Sequence, residues 1–431
     1  MFKRKLNQII LHFSKIFLKI FLKFNSPNLS SLILLINLRR IKAIYNHKIN
    51  KKVLVLAKSG GYEDILSAYR NLDQNNDIGY YILPRDLIKI IFSKFLKNEE
   101  FGDYLTVDFN ENIKSKKEDY KLFIKKTFLR LDNFWKFNGV LGFNPFYYAE
   151  IDLAEPIKDI GKKFLIIHKE SVHTPAAHAM NFEVYRDQNK KHLADKVAVY
   201  CEYEKKNLIN SNFLKPNQLE VIGCARSDYC FELRNKKPLE NRIVYFMIVP
   251  DRDRRFEKKK KLSKDQIVNW FDLADLTIKY LVEYAFKNPD VDIIFKGKWG
   301  VHSLEDLPKS LPKNCSFELG NPGHKFLKDA KVAICFNSTI LFEAILANRE
   351  VIIPSFGIDR SKLNKFILKS PNKFADTKEH FFEMINQDLN KPYEVKDFSE
   401  EEKECVDFYL GNSDGKAGVR LKKFIEENLQ H

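Results

Sequence analysis

From Lys52 onward, short apolar runs alternate with amphipathic stretches, and that alternation restricts the chain to layered α/β architectures. Val53 to Ala57, Ile78 to Leu83, Val140 to Phe143, Phe164 to Ile167, Val197 to Tyr200 and Leu219 to Ile222 read as buried strands, and residues 112–137 have helical composition. A charged, turn-rich stretch from Cys230 to Arg242 follows. A second series then begins with Ile243 to Val249 and continues through Val291 to Phe295, Val332 to Phe336 and Val351 to Pro354. The expected fold class is α/β, with two Rossmann-like doubly wound domains over residues 51–235 and 236–390. Helices over 391–431 are expected to return toward the first domain, and a basic helical extension over 1–50 precedes it. Two such domains in tandem are expected to face a cleft, a common place for a small-molecule site.

The segment Ile334 to Ala347 holds the densest signal. An apolar strand runs into Asn337, Ser338 and Thr339, a helix follows, and a further strand comes at once. Free backbone N–H groups and hydroxyls at a helix start suit a phosphate or another anion. Glu343 lies one turn beyond Thr339, where its carboxylate is placed to accept hydrogen bonds from sugar hydroxyls. The plainer alternative is that Asn337 or Ser338 caps a core helix.

The net charge of +16 has a location. No Asp or Glu precedes Glu63, while 13 of the 73 Lys and Arg residues fall there, so 60 basic residues face 57 acidic ones in the rest of the chain. A nearly neutral body without RNA-binding or zinc-finger signatures excludes nucleic acid as the partner. In Met1 to Phe24, Lys15, Lys19 and Lys23 recur on one helical face beside a wide aromatic and aliphatic one. Lysines interrupt every long apolar run, so neither a membrane span nor a signal-peptide core is present. The expectation is an interfacial helix, with residues 1–50 holding the protein at the inner, cytoplasmic face of a membrane. The alternative is a helix packed on its own domain with lysine stems snorkelling. Six scattered cysteines without metal-ligand spacing read as free buried thiols.

Three short motifs carry a family resemblance. Gly223-Cys224-Ala225-Arg226-Ser227-Asp228 resembles the Gly-x-x-Arg-x-Asp segment that closes the N-terminal domain of bacterial surface-polysaccharide and teichoic-acid-type transferases. Asn337-Ser338-Thr339 with Glu343 resembles their donor-site helix. Gly411 to Ala417 with Arg420 resembles the Asp-Gly-x-Ala…Arg ending of the CDP-glycerol glycerophosphotransferase branch. The resemblance implies a GT-B fold with the nucleotide donor held mainly by the C-terminal domain, the acceptor by the N-terminal one, and no bound metal. It assigns Arg226 and Asp228 to the site. Where that branch carries Lys-x-His-Pro, this chain has Lys296-Gly297-Lys298-Trp299, which turns the expectation from glycerol phosphate toward sugar transfer.

Other groups complete the expected site. Lys296, Lys298, Arg252, Arg254 and Arg255 fall at strand ends of the second domain, where cations offset charge on a departing nucleotide. (Asp251-x-Asp253 has metal-binding spacing, but its arginine surroundings suit phosphate.) His324 enters a helix after Gly320-Asn321-Pro322-Gly323 and is a candidate contact for base or phosphate. In His168 to Pro175, Glu170 is the first candidate for taking the acceptor's proton, His173 the second and His168 the third. Asp64, after Gly60-Gly61, is a further base candidate.

The expected function is a metal- and cofactor-independent glycosyltransferase of surface-polysaccharide assembly. It takes a nucleotide-activated sugar as co-substrate and a glycan or lipid-linked acceptor. The alternatives are a polyol-phosphate transferase of the CDP-glycerol type, a nucleotide-sugar epimerase on the same fold, and a non-enzymatic basic membrane-binding protein.

Overall fold

The computed structural model describes residues 2–41, 48–57, 61–70, 77–97, 111–147, 149–169, 192–249, 270–336, 338–360 and 373–429. Among these, residues 2–169, 192–225 and 418–429 form one compact unit and residues 226–417 a second.

Unit 1 is built on strands β1 (Arg39–Arg40), β2 (Lys51–Ala57), β3 (Ile78–Pro84), β4 (Gly139–Gly142), β5 (Lys163–Ile167), β6 (Lys196–Val199) and β7 (Leu219–Val221). They lie in the order β1-β3-β2-β4-β5-β6-β7. All pairs are parallel except β1 with β3. The strands are continuous apolar runs because a parallel sheet is covered on both faces. Leu54, Leu56, Val140, Phe164, Ile166 and Val197 are buried in one core.

The helices of this unit are α1 (Phe2–Lys23), α2 (Pro27–Ile36), α3 (Gly61–Arg70), α4 (Arg85–Phe95), α5 (Glu111–Phe134), α6 (Ala154–Asp159) and α7 (Glu202–Asn210). Ser26 caps α2 by accepting from the Leu29 N–H, with Pro27 at the first helical position. The N-terminal helices do not stand apart from the fold: Leu18, Leu22, Ile33 and Leu34 belong to the unit 1 core.

Unit 2 contains β8 (Arg242–Phe246), β9 (Asp292–Lys296), β10 (Cys315–Glu318), β11 (Val332–Ile334), β12 (Glu350–Pro354) and β13 (Lys373–Ala375). All are parallel, in the order β10-β9-β8-β11-β12-β13. Counted from the unit's own first strand, that order is 3-2-1-4-5-6, the Rossmann order. Its helices are α8 (Asp228–Leu233), α9 (Trp270–Lys287), α10 (Thr339–Leu346), α11 (Lys378–Asn390) and α12 (Glu400–Tyr409). The final helix, α13 (Ala417–Asn428), lies from Gly418 onward in unit 1.

The GT-B-like class expected from the sequence is thus the one observed, as two doubly wound α/β units in tandem. The division between them falls at Ala225 and Arg226, earlier than the break expected near residue 235. The reason is local. Cys230 and Leu233 are fully buried within α8, so the charged stretch following them is a surface turn of unit 2. No helix among the described residues is long and apolar enough to cross a membrane.

Candidate functional site

In unit 2 the strand order reverses between β8 and β11, and the crevice outside the carboxyl ends of such strands is where doubly wound sheets take ligands. At the end of β11, Ser338 has extended backbone and caps α10, its Oγ accepting from the Ile340 N–H at 3.4 Å. Ser338 and Thr339 are half-buried, and the first turn of α10 carries no acidic residue, so nothing on the helix offsets the positive end of its dipole. Asn337 lies outside the described residues.

One turn on, Glu343 is buried, and its Oε1 stands 3.4 Å from Arg226 Nε, itself nearly buried. A carboxylate inside the protein requires such a partner. Residues matched to two separate motifs thereby meet across 117 positions of sequence.

The third motif joins through Ser227 and Asp228, next along the chain from Arg226. Asp228 Oδ1 accepts from Asn412 Nδ2 at 2.8 Å and from the Ala417 N–H at 3.1 Å, while Asn412 Oδ1 accepts from the same Ala417 N–H at 2.9 Å. Asn412 Nδ2 also donates to Ser227 Oγ at 2.8 Å. Gly415 makes this turn possible. Its φ is +66°, and a Cβ there would lie 2.4 Å from the Phe231 ring. Asp228 therefore holds the segment from Asn412 to Ala417. Within unit 1, Arg420 Nε donates to Ile222 O at 2.8 Å.

A short 3-10 turn, Gly323–Lys328, packs on β8, α8 and α10. Gly323 is tight there, since a Cβ would come within 3.4 Å of Ile340 and 3.5 Å of Phe246. His324 on this turn is buried, edge-on to the Tyr229 ring with centroids 5.6 Å apart. Phe326 presents its ring 5.4 Å from Lys296 Nζ.

Lys296 ends β9 with 7% exposure, and Nζ donates to Gly297 O at 2.5 Å and Glu318 O at 3.5 Å. Burial holds its ammonium below the ordinary lysine range, with the Glu318 charge opposing. Lys298 is exposed, and its backbone N–H donates to His302 Nδ1 at 2.9 Å. Because Nδ1 accepts, the proton of neutral His302 sits on Nε2 and points to Ile248 O at 2.9 Å. His302 thus ties the loop after β9 to the segment after β8. Sequence reading passed over it, although its position four residues beyond Lys298 was a signal. Arg349 was missed too. Its buried guanidinium donates to Leu327 O, Leu233 O, Lys236 O and Lys328 O, fixing the 3-10 turn against α8. Arg252, Arg254 and Arg255 lie outside the described residues.

In unit 1 the reversal lies between β2 and β4. Gly61 opens α3 there, and a Cβ on it would meet the Phe143 ring at 2.3 Å. Asp64, in the first turn of α3, is fully buried and accepts from Tyr200 Oη at 3.2 Å. His168 is 2% exposed, with Nδ1 3.3 Å from Glu204 Oε1 and its ring edge-on to Phe146. That geometry makes it an interior partner of Glu204. Glu170 and His173 lie outside the described residues.

All six cysteines are free, and burial pushes the thiols of Cys201 and Cys405 up to about 12, away from nucleophilic use. Among the described residues no group of His, Cys, Asp and Glu is placed to hold a metal ion.

No family model matches the chain, and no curated protein matches it. Solved structures with a similar course include UDP-GlcNAc 2-epimerase from Methanocaldococcus jannaschii, 15% identical over 88% of this chain and 99% of that one, with a TM-score of 0.48. A UDP-N-acetylglucosamine 2-epimerase from Listeria monocytogenes is 13% identical over 88% and 97%, with a TM-score of 0.49. Anabaena Alr3699/HepE in complex with UDP and glucose is 11% identical over 88% and 99%, with a TM-score of 0.43. At such identity these are likenesses of chain course alone.

Proposed function

We propose that the protein is a glycosyltransferase of bacterial surface-polysaccharide assembly, acting on capsule, O-antigen or teichoic-acid-like glycan. It moves a sugar from a nucleotide-activated donor to a glycan or lipid-linked acceptor at the cytoplasmic face of the membrane. The observation that carries this reading is the buried Arg226–Glu343 pair beside the acid-free start of α10, at the reversal point of unit 2.

Each group has a task there. The N–H groups of Ser338 and Thr339 and the dipole of α10 receive the donor's phosphates. The Lys296 ammonium, at the end of β9 two strands from β11, adds positive charge and stabilises the nucleotide as it departs. Glu343, paired with Arg226, accepts hydrogen bonds from donor hydroxyls. His324 and Tyr229 supply aromatic surface for the base or sugar. Acceptor activation stays with the candidates read from the sequence, Glu170 first and His173 second.

A nucleotide panel followed by thermal melting tests the donor assignment. A nucleoside diphosphate at about 100 times its dissociation constant adds about 2.7 kcal/mol of stability. Incubation of the full chain with a radiolabelled donor and a membrane fraction then separates the chemistries. Label appearing as sugar on glycan or lipid supports the proposal. Label appearing as polyol phosphate means a polyol-phosphate transferase, and conversion of the donor with no acceptor present means an epimerase. No melting shift with any nucleotide sinks the donor site itself.

A further inference from the structure

The wide apolar face of α1 is divided in the structure into two opposite arcs with different fates. Leu18 and Leu22 point into unit 1 and are 0% and 5% exposed, with Ser14 buried on the same side. Leu6, Ile9, Phe13, Ile16, Phe17, Ile20 and Phe24 point outward, each at least 40% exposed. At about 100° per residue the six within the helix, Leu6 to Ile20, occupy an arc of about 100°, and Phe24 follows in the turn. A third arc, between the other two, carries Lys15, Lys19 and Lys23. The next helix repeats the arrangement: Ile33 and Leu34 are buried while Leu29, Leu32 and Ile36 are 39%, 43% and 55% exposed.

The helix is held in this orientation. Asn37 Nδ2 donates to Ser14 Oγ at 2.8 Å in the buried seam between α1 and α2, and Arg39 donates to Asn7 O at 2.7 Å. Lys15 pairs with Asp86 of α4 at 2.5 Å, and Lys94 of α4 donates to Asn25 in the turn between α1 and α2. Rolling the helix to hide its outer arc would break all of these at once.

We propose that the outward faces of α1 and α2 dock on an anionic lipid surface, entering the boundary between headgroups and acyl chains. Nine large apolar side chains on two consecutive helices, with Phe24 in the turn between them, exceed what scattered surface residues need for explanation. Charge selects the occupant. No acidic residue precedes Glu63, so Lys19 and Lys23 stand exposed beside the apolar arc with no acid on either helix. A second copy docked face to face would set these cations against their own equivalents, whereas anionic headgroups complement them. This inference stands on the N-terminal helices alone and does not depend on the transferase reading.

Flotation of the full chain with vesicles provides the test. Wild type floats with phosphatidylcholine–phosphatidylglycerol vesicles and far less with pure phosphatidylcholine. The Ile9→Ser/Phe13→Ser pair, altered at exposed positions, keeps its melting temperature and loses at least about tenfold in partitioning. Lys19→Gln/Lys23→Gln loses about fivefold per lysine on the anionic vesicles only. The proposal is overturned if wild type does not float with anionic vesicles, or if the Ile9→Ser/Phe13→Ser pair floats as well as wild type. It is also overturned if sedimentation velocity shows a dimer that the same pair dissolves.

Discussion

At the reversal point of unit 1, the helix after β2 carries Glu63 and Asp64 in its first turn. At that of unit 2, the helix after β11 begins with Ser338 and carries no acid in its first turn. Both places share a central parallel strand followed by a helix. They differ in who answers the helix dipole. In unit 1 the protein's own carboxylates do, and Asp64 is further engaged by Tyr200. In unit 2 the first turn carries no carboxylate, and the proposed function gives that positive end to an incoming anion, with Lys296 as a further cation. Equivalent positions in the two units thus carry opposite charge patterns.

The contrast breaks most severely at Arg226. Arg226→Ala removes the guanidinium paired with the buried Glu343 carboxylate and is expected to cost roughly 3–5 kcal/mol, read from the urea midpoint. Adding Glu343→Leu to that variant is expected to recover much of the loss, because a buried ion pair contributes little over an apolar one of similar volume. A double mutant as unstable as the single would show that Glu343 is not the partner that matters.

Lys296→Met is expected to lower kcat by about 10²–10³-fold while the fold persists, since the cation acts on charge in the departing nucleotide. Turnover with labelled donor measures this. An unchanged kcat would remove Lys296 from the site.

Ser338→Ala removes the cap hydroxyl and is expected to cost about 1 kcal/mol or less, given the long 3.4 Å contact. Its nucleotide-induced melting shift should shrink as well. Asp64→Asn, which can keep its bond to Tyr200, is expected to leave that shift untouched and so sharpens the comparison. A loss of nucleotide binding in Asp64→Asn would mean that unit 1 takes the donor.

The smallest effect is on pH. The folded pKa of Lys296 is lowered by burial, so the native state releases its proton before the unfolded chain does. Stability therefore rises with pH between the depressed folded value and the ordinary lysine value, while nucleotide affinity falls over the same window. Melting curves taken across the alkaline range, with Lys296→Met as the control lacking both trends, check the sign.

Much of this was legible from residue order. The ten apolar runs read as strands are strands, because buried parallel strands leave continuous apolar text. The edge strand Cys315–Glu318 was not legible, since Cys-Ser-Phe-Glu exposes one side and lasts four residues. Strand β13 (Lys373–Ala375) and strand β1 (Arg39–Arg40) are shorter still. At the site, Ser338 and Glu343 announced themselves through the strand–turn–helix pattern. The pairing of Glu343 with Arg226 did not, because contacts made across 117 residues leave no local periodicity. His168 looked chemical in sequence, yet a titratable residue at a strand end can as well turn inward, as it does toward Glu204.

The stretch from Asn412 to the end finishes both units: Asn412 and Ala417 satisfy Asp228 in unit 2, and α13 lies in unit 1. During synthesis, neither unit can reach its final state until residues 412–428 leave the ribosome. Expression of residues 1–225 alone would yield a unit 1 without α13, whereas a fragment that begins at Arg226 keeps Asp228 together with Asn412 and Ala417.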